Sequence, residues 1–175
     1  VLMLFAEGNE GPELLLTQRA NTMRSHPGQI SFPGGRLDNT DRDAVHAALR
    51  ESHEEVGLHP EEVAVFGTLP TLWVPPSNYA VTTVMGYWPE PRGLTPQSRD
   101  EVEAILRPSI ELLLDPARRF SVVHPSGWRG PAFDIGTQTP LWGFTAGIIA
   151  RLFETIGWEK PWDDTIERPI PGVNL

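Results

Sequence analysis

The run "GRLDNTDRDAVHAALRESHEEVGL", Gly35 to Leu58, crowds Glu51, Glu54 and Glu55 into little more than one helical turn and then stops at a glycine. Thr40 is the start signal, with Asp43 three residues on as a short form of a capping box, and Gly57 followed by Pro60 is the stop. Between these signals Val45, Ala48, Leu49, Ser52 and Val56 fall on one stripe at helical spacing, and the three glutamates share the arc beside it. The carboxylates therefore sit at the edge of a buried face. Like charges three or four apart on a helix destabilise it by roughly 0.2–0.5 kcal/mol per pair, so something must offset the cluster. Arg50 and the neighbouring histidines can do so by ion pairing on a solvated face. The other candidate is a hard divalent cation, Mg2+ or Mn2+, which prefers carboxylate oxygen and is commonly bound together with substrate phosphates.

Composition narrows the choice. With 175 residues, 39% of them hydrophobic, the chain predicts a single domain over 1–175 built on one core. Fourteen Lys and Arg against 23 Asp and Glu give a net charge of −9, which argues against nucleic acid and against a membrane surface as partners. A small anionic substrate needs a local basic patch in such a chain. Having no cysteine, the chain has no disulfide, thiolate metal site or cysteine nucleophile, and this suits a cytoplasmic protein. No apolar run reaches the length of a membrane span, and "VLMLFAEG" lacks the basic flank and cleavage site of a signal peptide. Because Val1 falls inside an apolar run, the expectation is that N-terminal residues are missing and the first strand is cut short.

"VLMLFA" and "ELLLTQRA" around "EGNEGP" predict two strands joined as a hairpin, and "NTMRSHPGQISFPGGRLDNTD" predicts a structured loop leading to the acidic helix. "EVAVFGTLPTLWV", "NYAVTTVMGYWP" and "EVEAIL" read as strands. "SIELLLDPARR" reads as a short helix ended by Pro116, and "TPLWGFTAGIIARLFETIG" as a long amphipathic helix stopped by Gly157. The Pro-rich stretch 158–175 is expected to be a loosely ordered tail. The fold class is α+β, strands packed against two main helices.

The run from Gly35 to Leu58 resembles the signature of the Nudix hydrolases, with Arg50, Glu51, Glu54, Glu55, Gly57 and Leu58 in register. It departs in three ways: the gap from Gly35 to Arg50 is one residue longer, Arg42 stands where a glutamate is expected with Asp41 beside it as a substitute, and Ser52 replaces an apolar residue. Upstream, "LLTQRANTMRSHPGQISFPGG" resembles the extra signature of the coenzyme A pyrophosphatase branch at Leu15, Leu16, Thr17, Ala20, Arg24, Gly28, Phe32, Pro33, Gly34 and Gly35, and "LWGFTA", Leu141 to Ala146, resembles the start of that branch's C-terminal helix.

The resemblance implies a Nudix-type α/β/α sandwich with a mixed central sheet; monomer and homodimer both stay open. It implies metal-dependent hydrolysis of the pyrophosphate bond of coenzyme A or a derivative to 4′-phosphopantetheine and adenosine 3′,5′-bisphosphate. ADP-ribose, dinucleotides or nucleoside triphosphates are the alternative substrates, and a non-catalytic nucleotide-binding module is a further alternative. Glu51 and Glu55 are then principal metal ligands, Glu54 assists, the Gly34 carbonyl completes the set, and Arg50 braces a carboxylate. By the same resemblance Glu101 is the first candidate for the general base and Glu103 the second, with Glu51 or Glu54 left as alternatives.

For substrate binding, Arg19, Arg24 and His26 form the densest basic cluster near the glycine loop, and Arg24 is the leading phosphate contact. Gly28 and Gly34 would let the backbone approach the ligand closely. Trp73, Tyr79, Trp88 and Trp142 are candidates for stacking on a base, but their positions in strands and at a helix start favour core packing.

Overall fold

The apolar run near the N-terminus folds as strand β1 (Leu2–Gly8), whose Leu2, Met3 and Leu4 are all fully buried, as required of a strand covered on both faces. A turn at Gly8–Gly11 joins it to β2 (Gly11–Leu14), with Phe5 opposite Leu14 in antiparallel register, so the expected hairpin is present. In this computed structural model residues 1–23, 26–75 and 78–171 are described. They divide into two compact units, Val1–Ser109 and Ile110–Leu175.

In the first unit "ELLLTQRA" is two strands rather than one. The chain leaves β2 after Leu14 and becomes β3 (Leu16–Arg19), which pairs with β4 (Ile30–Ser31) and with β9 (Val102–Leu106) in a separate sheet. Leu14, Leu15 and Leu16 are all buried at this crossover. Helix α1 (Ala44–Val56) follows, then β5 (Ala64–Thr68), β6 (Leu72–Val74), β7 (Tyr79–Val81) and β8 (Val84–Trp88). The central sheet has the order β2-β1-β8-β5, and its β1–β8 pair is parallel while the others are antiparallel, so the sheet is mixed as expected. The paired strands β6 and β7 continue the β5–β8 ribbon beyond that sheet.

Helix α1 packs Ala48 and Val56 into a cluster with Leu2, Leu4, Leu15, Leu58, Val84 and Trp88, with Val45 and Leu49 against its margin. The serine on this stripe is accommodated without an unpaired hydroxyl, because the fully buried Ser52 donates to the Ala48 carbonyl at 2.7 Å. The helix begins later than Thr40 suggests. Asp43 is the N-cap, accepting from the His46 amide at 2.8 Å, whereas Thr40 belongs to the preceding turn around Asp38. Gly57 ends the helix in the left-handed region, φ 73°, where a side chain would be strained.

The second unit contains α2 (Ile110–Leu114), β10 (Arg119–Val123), β11 (Arg129–Phe133), α3 (Gly143–Thr155) and β12 (Glu167–Pro169). Both expected helices are present; β10 and β11 are not among the expected strands. The first is buried on both faces, Arg119 included, and the second carries Pro131, so neither alternates. Within the expected loose tail, β12 runs parallel to β10 and Ile170 is buried. Among the described residues no helix is long and apolar enough to cross a membrane.

Candidate active site

The carboxylate edge of α1 faces the glycine loop. Glu55 is 6% exposed and accepts a hydrogen bond from the Gly34 amide at 3.0 Å. Two glycines make the approach possible. Gly34 has φ 148°, and a Cβ there would lie 2.6 Å from the Val1 Cα; a Cβ on Gly35 would overlap the Glu51 carboxylate. The loop and the helix edge are therefore fitted to each other through main chain on one side and carboxylate on the other.

Arg50 ties this edge together. Its Nε and Nη2 form a fork on Asp41 at 2.9 and 2.7 Å, its Nη1 reaches Glu51 Oε1 and Glu54 Oε2 at 3.1 Å each, and Nη2 also donates to the Arg36 carbonyl. Asp41, whose role the sequence leaves open, is thus the anchor of the bracing arginine. It also receives the Asp38 amide and meets His46 Nδ1 at 2.8 Å. The Arg50 hydrogen bonds hold the Asp41 carboxyl well below the usual carboxylate range, with the Asp38 amide assisting. Arg50 in turn is held more firmly protonated, chiefly by Asp41.

The glutamates behave oppositely. Burial pushes Glu55 up to about 7 despite the Gly34 amide, with the charges of Glu51 and Glu101 adding to the rise and Arg19 opposing it. Glu51 is also raised, first by burial, with Arg50 opposing and Glu54 and Glu101 adding. Glu54 is the exposed member, paired among the described residues with Arg50.

The other candidates divide clearly. The Glu101 carbonyl accepts from the Ala20 amide at 2.8 Å, which ties the start of β9 to the end of β3, and the Glu101 charge acts on both Glu51 and Glu55. Among the described residues nothing pairs with its carboxylate. Glu103 is turned instead to Asn21 Nδ2 at 2.7 Å. Arg19 ends β3 at a bulge, with its Nε buried and without a hydrogen-bond partner among the described residues, and its charge reaches Glu55. Gly28 is buried in a turn at φ 67°, its carbonyl accepting from Gln18. His26 is exposed, and Arg24 lies outside the described residues. Trp88 is in the core and Trp142 packs against Phe120, Val122 and Ala132 in the second unit. Trp73 and Tyr79, also expected to favour core packing, are 65% and 41% exposed.

Whether these residues suit a divalent cation can be judged from their charges. Asp41, Glu51, Glu54 and Glu55 bring four carboxylates, with Arg50 as the guanidinium among them, and all the donors are hard oxygens of the kind Mg2+ and Mn2+ take. Among the described residues no three acidic or imidazole side chains converge closely enough to form a metal cage by themselves. The donor set is of the kind that suits a hard divalent cation.

The NUDIX domain family model matches residues 1–122. A protein of Enterobacter sp. (strain 638), described as the uncharacterized Nudix hydrolase NudL, is 42% identical over 154 residues, which cover 85% of this chain and 77% of the relative. A protein of the same description from Escherichia coli (strain K12) is 41% identical over 152 residues, covering 83% and 76%. The crystal structure of a Nudix hydrolase from M. smegmatis, RenU, aligns with a TM-score of 0.62 at 22% identity over 93% of this chain and 86% of that one. A MutT/nudix family protein from Enterococcus faecalis gives 0.57 at 16% identity over 89% and 60%. The two structural likenesses speak for the fold alone. The chain belongs to the Nudix hydrolases, a pyrophosphohydrolase with the α+β fold of that family, which generally uses divalent metal ions.

Proposed function

We propose that this chain cleaves the diphosphate linkage of coenzyme A or one of its derivatives, releasing 4′-phosphopantetheine and adenosine 3′,5′-bisphosphate, with Mg2+ or Mn2+ as the cofactor. The observation that carries the hydrolytic part is Glu55, buried against the Gly34 amide with its carboxyl raised to about 7, beside Glu51 and Glu54 and short of positive charge. The substrate assignment rests on the run Leu15–Gly35, which delivers the glycine loop to that carboxylate. Glu51, Glu54 and Glu55, with the Gly34 carbonyl, would hold the metal, which when bound neutralises the diphosphate and lowers the cost of generating hydroxide.

Arg50 keeps Glu51 and Glu54 in place through its fork on Asp41. Glu101 accepts the proton of the attacking water, whose oxygen bonds to one phosphorus as the bridging P–O bond breaks, and the bridging oxygen leaves on the other phosphate. Arg19 and Arg24 bind phosphate oxygens, and Gly28, in the left-handed region, lets the backbone approach the ligand closely.

Product analysis after incubation of the protein and Mn2+ with coenzyme A, acyl-coenzyme A, ADP-ribose and a dinucleoside polyphosphate tests the assignment. Coenzyme A or its acyl derivative is expected to be consumed fastest, and preferential turnover of ADP-ribose would overturn the substrate. Glu51→Gln and Glu55→Gln are each expected to lower kcat by roughly a thousandfold, the scale of several kcal/mol of charge stabilisation, with the protein still folded. Glu101→Gln should cost on the order of 10²–10⁴. Near-normal rates in both metal-ligand variants would refute the metal site.

A further inference from the structure

We propose that Arg36 binds a phosphate oxygen of the diphosphate substrate and that Tyr79 is the positioning residue that holds its guanidinium for this contact. The inference rests on the hydrolytic reading above and adds a binding residue to it. Arg36 follows Gly35, the glycine whose missing Cβ leaves room for the Glu51 carboxylate, and its carbonyl accepts from Arg50 Nη2 at 3.1 Å. Its main chain is therefore part of the carboxylate network. The side chain takes no part in it: the guanidinium lies over the Tyr79 ring, 5.0 Å from the centroid, and among the described residues no carboxylate pairs with it.

That is an unusual use of a cation in a chain with 23 acidic and 14 basic residues. Arg50 has all its donors engaged, whereas Arg36, which has no acidic partner among the described residues, is held over the Tyr79 ring. A guanidinium lying on an aromatic face keeps its N–H edge free, and that edge matches the geometry of phosphate oxygens. The platform is built for exposure. Tyr79 sits at the start of β7 opposite Val74, on the β6–β7 ribbon that projects past the central sheet, and neither Tyr79 nor the neighbouring Trp73 is drawn into the core. The main chain that carries this cation is thus tied to the carboxylate edge, where an anionic substrate needs positive charge.

The test compares Arg36→Ala, Arg36→Lys, Tyr79→Ala, Tyr79→Phe and the double alanine variant in the full chain. Steady-state kinetics on the diphosphate substrate with the fastest turnover are paired with calorimetric binding of ADP in Mn2+. Arg36→Ala is expected to raise KM and the ADP Kd by roughly tenfold to a hundredfold, as for loss of a charged hydrogen bond, with kcat within about threefold. Lysine should not restore binding, because the fork and the stacking are both lost. Tyr79→Ala should raise KM less, Tyr79→Phe should resemble wild type, and the double variant should be no worse than Arg36→Ala alone. Arg151→Ala, on the exposed face of α3, should leave all values unchanged.

An unchanged KM in Arg36→Ala, a Tyr79→Phe variant as poor as Tyr79→Ala, or effects that multiply in the double variant would overturn the proposal. If wild type binds ADP too weakly to measure, the KM ratios decide. Failure of the coenzyme A assignment appears separately, as the wrong preferred substrate, and leaves these ratios readable.

Discussion

Arg50 spends all its donors on Asp41, Glu51, Glu54 and the Arg36 carbonyl, which a lysine cannot do. Arg50→Lys is therefore expected to weaken Mn2+ activation and lower kcat/KM by roughly 10- to 100-fold, the usual scale for a residue that orients metal ligands. A titration of activity against Mn2+ would check this, and an unchanged half-saturation would remove Arg50 from the bracing role. Asp41 allows an independent measurement. Its carboxyl is held low in the folded protein, so its stabilising effect is present above the unfolded value, 3.8, and is lost as pH falls through the folded one. Asp41→Asn should lose stability at neutral pH and converge with wild type in acid, as read by thermal melts from pH 7 to pH 2. The sequence marks Asp41 only as a neighbour of the departing Arg42; its contact with Arg50 depends on how the loop of Asp38 folds back, which no local pattern encodes.

Helix α1 is the element on which the site is built, and its ends bear on both boundary and function. Asp43→Ala should cost about 1 kcal/mol while Thr40→Ala costs little, because the Asp43 side chain caps the His46 amide. Gly57→Ala should also cost about 1 kcal/mol, since the left-handed φ of 73° admits no side chain without strain. For a chain of this size either loss lowers Tm by roughly 2–4 °C, and scanning calorimetry would resolve the order. The helix was legible because period, stop signal and charge arc agree; its start was misplaced by one turn because Thr40 and Asp43 are both good caps. The break of "ELLLTQRA" at Leu15 was not legible, since three consecutive leucines suit either sheet and pairing partners far along the chain decide the switch. Likewise the glutamate spacing locates the acidic edge, yet only the position of Gly34 separates the buried Glu55 from the exposed Glu54.

For the molecule as a whole, burial of Glu55 couples stability to pH and to metal. Its carboxyl is raised in the folded state from 4.5 to about 7, so between those values the folded chain holds a proton that the unfolded chain has released. Stability must then fall as pH rises through that window and level off above it. At about 1.4 kcal/mol per pH unit the full separation amounts to about 3 kcal/mol, or roughly 6–12 °C in Tm for a chain of this length. Glu51, raised for the same reason, acts in the same direction, while Asp41 and Glu62, both lowered, act in more acid solution. Thermal melts of wild type and Glu55→Gln in chelator, from pH 4.5 to pH 8, isolate the contribution of Glu55, the one side chain in which the two differ. Wild type should lose stability relative to the glutamine variant as pH rises. Mn2+ should then raise the wild-type Tm more at pH 8 than at pH 5, since the ionised carboxylates that weaken the metal-free fold are the ones a cation binds. Parallel melting curves across the range would mean that Glu55 is not charged at a cost, and with that the physical reason for placing a divalent ion beside it would go.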